Sequence, residues 1–176
     1  MVKAGDAIAA ARSLIGTPYS EMDCINLIKK VIRTAPGGMQ SYTTAGTNTL
    51  WKSATASTKY RDLTWRKNGI DGACAGMLAF KRNGDDVHHV GIVTEKGTII
   101  HSSSTQNGRG VVETPLSSDE GWNLLAKHRY IEASECVIKD TEIKDLDRTA
   151  EVTIVDSAGR RFVPEGDFSV YIGSVD

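Results

Sequence analysis

Residues 88–103 read "HHVGIVTEKGTIIHSS". Two runs rich in β-branched residues flank "EKG", and that pattern predicts an antiparallel hairpin. Whether the loop is Glu95–Gly97 or one residue wider at each end, the two strands pair in an even register. Side chains alternate along a strand, so even parity puts His89 and His101 on one sheet face, directly opposite or one diagonal step apart. His88 points to the other face. The hairpin has neighbours of its own kind. "GMLAFKR" precedes it, "GVVETPL" follows it, and "LLAKHRYIE" reads as another strand. Helices come first in the chain and strands after, which predicts an α+β fold with an antiparallel sheet.

Upstream, residues 4–15 carry an apolar stripe of Ala4, Ala7, Ile8, Ala11, Leu14 and Ile15, a predicted first helix ended by "GTPY". A second helix follows in "YSEMDCINLIKKVIR", residues 19–33, with Ile25, Leu27, Ile28, Val31 and Ile32 at helical spacing. Asp23 is a good N-cap, which makes Cys24 the first helical residue. Unpaired backbone N–H groups and the positive helix end favour a thiolate there. Taken alone, Cys24 reads better as a small buried residue at a helix start than as a nucleophile. Residues 39–70 form a long polar insert with a short predicted helix over 47–53, and Trp51 and Trp65 in it are candidates for groove or core.

The totals exclude several classes. A net charge of −1 with 24% charged residues gives no footprint for nucleic acid. No apolar run reaches the length of a membrane span. The opening "MVKAGDAIAAARSLIG" is too broken by charge for a secretory signal and reads as a helix. Cys24, Cys74 and Cys136 form no CxxC pair and no metal-ligand spacing with the four histidines, so neither a disulfide framework nor a metal site is expected. No cofactor is expected. His88 reads as solvent-facing, and His128, alternating with Arg129, as a surface or interface residue.

Two imidazoles on one face suit a base and its orienter, and a cysteine far away in sequence suits a thiol nucleophile. The ordered set "DC" at a helix start, "GMLAFKR", "HHVGIV" and "TIIHSS" resembles the NlpC-type cysteine peptidases, a papain-like group acting on bacterial cell walls. The resemblance covers roughly residues 4–132. It implies Cys24 as nucleophile, His89 as base and His101 as the third polar residue, with Tyr19 and Asp23 beside substrate. It implies hydrolysis of an amide in peptidoglycan stem peptides through a thioester, with no metal. Ile25-Asn26 stand where the family has Ser-Gly, and Met77 stands where it has Asp, so recognition of the substrate amine is expected to differ.

Three other readings compete. One is a thiol amidase of the CHAP type. Another is a non-catalytic wall-binding or tail-structural module on the same scaffold. The last is acyl transfer. The "GTPYSEMDC" style is similar to phage-associated versions. It implies synthesis in the cytoplasm without a signal peptide, and delivery to the wall by a phage tail or by lysis. The expected organisation is a peptidase domain over 1–134, a charged linker over 135–148, and a β-rich extension or truncated wall-binding module over 149–176. Within that last part "AEVTIVD" and "RRFVP" read as a hairpin.

Overall fold

The computed structural model describes residues 1–105 and 110–134, together with the backbone of two short strands at 154–155 and 161–162. The chain divides into two compact units, Met1–Val137 and Ile138–Asp176. The expected linker over 135–148 lies outside the described residues. In the second unit Ile154–Val155 pairs antiparallel with Arg161–Phe162, a hairpin at the place its sequence predicts.

The first unit starts with β1 (Val2–Lys3), α1 (Ala4–Arg12), α2 (Cys24–Thr34) and α3 (Thr47–Lys52). The strands follow as β2 (Leu63–Asn68), β3 (Leu78–Asn83), β4 (Asp86–Val93), β5 (Thr98–Ser103), β6 (Gly110–Pro115), β7 (Leu124–His128) and β8 (Ile131–Glu132). Six of them make one antiparallel sheet in the order β2-β7-β3-β4-β5-β6, and β1 pairs with β8 in parallel.

Sequence chemistry explains the helix ends. Asp23 accepts a hydrogen bond from the Asn26 amide at 2.7 Å, filling one of the donors that a helix start leaves open. α2 stops at Ala35, whose ψ of 149° is the extended conformation imposed by the following Pro36. α1 ends at Arg12, three residues short of the predicted stripe. Ser13 to Gly16 form turns instead, and the Gly16 amide donates to the Val111 carbonyl on β6. Tertiary hydrogen bonding thus outweighs the helical periodicity there.

The sheet buries both faces, by alternation broken at the register shift between Lys81 and Arg82. Leu78, Phe80, Val90, Ile92 and Ile100 face α1, α2 and α3, in a core shared with Ile8, Leu27, Ile28, Val31 and Ile32. Met77, Ala79, Val93, Ile99 and Leu125 face the other way and pack with Cys74 and Trp122.

Several expectations are corrected. Residues 63–68, expected to be irregular, form β2, an edge strand with a bulge between Leu63 and Trp65. Thr64, Trp65 and Asn68 are its exposed positions and Arg66 and Lys67 are half-buried, so only Leu63 is fully buried and the strand carries little apolar signal. Trp51 is buried against Phe80, so it belongs to the core, while Trp65 is 40% exposed. His128 is buried, because β7 lies between β2 and β3 and its Leu124–Ala126–His128 face is covered. Among the described residues Cys24 is the free cysteine, whereas Cys74 is disulfide-bonded. Three scattered cysteines carry no pairing pattern from which that bond is readable.

Candidate active site

The thiol is placed by three features of the sequence. Asp23 caps α2 and fixes Cys24 at its first turn. The apolar stripe of α2 then docks that helix on the sheet, with Cys24 itself buried. The third is a seam between β4 and β5. Their pairing runs from Val93↔Ile99 to Gly91↔His101 and stops there. Val90 is the next residue, and its N–H is directed at the Cys24 sulfur. Across the seam, the Ser102 hydroxyl donates to the Met22 carbonyl and ties β5 to the segment entering α2.

Burial pushes the Cys24 thiol up from its ordinary value, and the neighbouring Asp23 carboxylate pushes in the same direction. The amide of Val90, followed by those of Ile25 and Cys24 itself, opposes this by donating to the sulfur. The helix start therefore supplies the donors expected of it, but desolvation outweighs them, and the resting group is a thiol. Tyr19 lies in the same surroundings. Burial raises its phenol first, and the charges of Cys24 and Asp23 raise it further.

The imidazoles form a second group. Gly91 is the direct partner of His101, so His89 stands one diagonal step away, within the register range the hairpin predicts. Nε2 of His89 lies 2.9 Å from Nδ1 of His101, and Nε2 of His101 lies 3.1 Å from the Thr114 hydroxyl on β6. These contacts form a chain, Thr114–His101–His89. It leaves Nδ1 of His89 without a hydrogen-bond partner among the described residues. Trp122 packs on both rings with centroids at 5.3 Å. Lys81, the cross-strand partner of His89, lays its ammonium 4.8 Å from the Trp122 ring.

Both rings are held neutral. Burial lowers His89 to about 3, helped by the charges of His101, Lys81 and His88. Burial lowers His101 to about 4, with Lys81 adding to the effect and Glu120 opposing it. Desolvation and nearby cations both disfavour the imidazolium.

The structure brings Tyr19, Asp23 and Cys24 together, and it brings His89 and His101 together. The two groups meet at β4, where successive residues serve them. Val90 reaches the sulfur and packs in the helix-side core, while the His89 ring packs on Trp122, which belongs to the other core. No hydrogen bond joins Cys24 to His89 in this structure. His88 is exposed. Asp23 acts as the helix cap.

Sequence reasoning missed Trp122, Thr114 and Lys81. Lys81 and Thr114 become visible only once the strand register is known, as the residues opposite His89 and beside His101. Trp122 arrives from the turn before β7, with no periodic signal to announce it.

No family model matches the chain, and no curated protein sequence matches it. Among solved structures, the chain is similar to the NlpC/p60 domain of the peptidoglycan hydrolase SagA. The match has 24% identity and a TM-score of 0.46, and it covers 72% of this chain and 98% of that one.

Proposed function

We propose that the protein is a cell-wall hydrolase that cleaves an amide bond in peptidoglycan stem peptides with Cys24 as nucleophile and His89 as base. The reading rests first on the residues themselves, the ordered motifs at 23–24, 76–82, 88–92 and 98–103. The observation that carries it is that neighbouring residues of β4 serve both groups: the Cys24 sulfur takes the Val90 amide, and the residue before Val90 is His89, oriented through its Nε2 by His101.

In this mechanism the unpartnered Nδ1 of His89 takes the thiol proton as substrate binds. Catalytic hydrogen bonds that are open in an unliganded site commonly close in the complex. The Cys24 sulfur attacks the amide carbonyl, the Cys24 amide at the start of α2 donates to the oxyanion, and the protonated His89 gives its proton to the leaving amine. Water then cleaves the thioester, with His89 again as base. His101 and Thr114 hold the tautomer. The low basicity of both rings makes proton transfer to His89 uphill at rest, so substrate must supply part of the alignment. Delivery to the wall by a phage, through its tail or by lysis, is the route we propose.

One observation favours a second reading. A buried thiol raised by its surroundings, without a hydrogen bond to imidazole, suits a scaffold that binds wall and leaves it uncut. Mass spectrometry of muropeptides after incubation with the full chain separates the readings. Shortened stem peptides support the endopeptidase, an intact stem freed from sugar indicates an amidase, and unchanged muropeptides with protein retained on the wall indicate the binding module.

A further inference from the structure

A cleft opens beside the β3–β4 turn, between α3 and the ends of β2 and β3. It encloses about 340 Å³ and is lined by Trp51, Lys52, Arg66, Arg82, Asp85 and Val87. Three of those six are cations and one is an acid. None of the three cations pairs with a carboxylate among the described residues, where the ion pairs involve Arg12 and Arg129.

Two of the cations are held in place by neutral groups. Arg66 donates from Nη1 to the Trp51 carbonyl at 2.8 Å, and its guanidinium lies 4.9 Å from the Trp51 ring. Arg82 donates from Nη2 to Asn68 Oδ1 at 3.3 Å. Each contact uses one arm of the fork, and the remaining N–H groups meet no acceptor among the described residues. Lys52 ends α3 and is exposed. Guanidinium forks fixed by packing lose little freedom when they bind a planar carboxylate or a phosphate. The chain as a whole carries a net charge of −1, so this concentration of positive charge is a local feature.

We propose that this cleft is an anion-binding site for a ligand bearing two or more phosphate or carboxylate groups. Arg66 and Arg82 engage it through their open N–H arms, and Lys52 supplies a third charge. Asp85 works against the ligand and limits affinity. None of its lining residues is Cys24, His89 or His101, and the proposal does not depend on the hydrolytic reading.

Isothermal titration of the full chain at low salt tests it, with tripolyphosphate as the phosphate probe and citrate as the carboxylate probe. One-to-one binding of at least one probe is expected, and the tighter of the two identifies the preferred group. Lys52→Gln with Arg82→Gln, both at exposed positions, should weaken that binding about tenfold or more. Asp85→Asn should tighten it about threefold, and added salt should weaken it. Binding of neither probe overturns the proposal. So does a double variant that melts like wild type and binds with wild-type affinity.

Discussion

His89 Nε2 and His101 Nδ1 lie 2.9 Å apart because the β4–β5 register sets Gly91 opposite His101 and leaves His89 one diagonal step away. Gly91, opposite His101, has no room for a side chain, since a Cβ there would meet Ile99 at 2.7 Å, and the Thr114 hydroxyl fixes the far side of the His101 ring. In the proposed mechanism His101 therefore acts through His89. His101→Ala should lower kcat on purified walls by about 10²-fold with KM little changed. His101→Asn, which keeps a polar group at that place, should recover part of the loss. Equal losses of kcat in both variants would remove the positioning role.

The ionisation of Cys24 predicts a pH profile. Its thiol is raised by burial, and both imidazoles are already neutral above about pH 5, since His89 titrates near 3 and His101 near 4. Alkylation by iodoacetamide should therefore rise about tenfold per pH unit through neutrality, with a midpoint above the ordinary thiol value of about 8.5. A plateau reached below pH 7 would mean that a thiolate–imidazolium pair exists at rest.

Asp23 has two separable effects. Its carboxylate caps α2 through the 2.7 Å bond to the Asn26 amide, and its charge opposes thiolate formation at Cys24. Asp23→Ala should cost about 1 kcal/mol of stability by loss of the cap. Asp23→Asn should keep most of that stability while shifting the alkylation midpoint downward. Urea unfolding and the alkylation profile, measured on both variants, check the two effects independently.

How much of this was legible in the sequence can be argued residue by residue. The start of α2 was legible because cap chemistry is local: Asp23 and the stripe from Ile25 to Ile32 specify the helix within ten or so residues. The His89–His101 relation was legible because a hairpin fixes its own register, and parity then fixes the shared face. The seam that turns the Val90 amide toward the sulfur was not, because it depends on where two strands stop pairing. Nor was the burial of His128, which looks like a surface residue beside Arg129 until β2 is known to cover the edge of β7. The Tyr42 hydroxyl, 3.0 Å from its Nε2, comes from a segment with no strand or helix pattern.

That buried histidine predicts loss of stability in acid. The Tyr130 amide donates to Nδ1 of His128 at 3.2 Å, so the neutral ring holds its proton on Nε2 and donates to Tyr42. Burial, with the charge of Arg129, lowers His128 to about 3, whereas an unfolded histidine titrates near about 6.5. Between those values the unfolded chain binds the extra proton, so stability is full above about 6.5 and falls as pH drops toward 3. His89 and His101 act in the same direction. Melting temperatures should decline through this window, and His128→Gln, which cannot titrate, should show a shallower decline from its own neutral value. An equally steep decline would remove His128 as its cause.

The central claim is that sulfur at position 24 performs the chemistry. It is tested most directly by comparing wall clearing by wild type, Cys24→Ala and His89→Ala at equal concentration, with near-UV circular dichroism establishing that each variant keeps its packing. The account predicts clearing by wild type and none above background by either folded variant. Clearing by Cys24→Ala at the wild-type rate would contradict it.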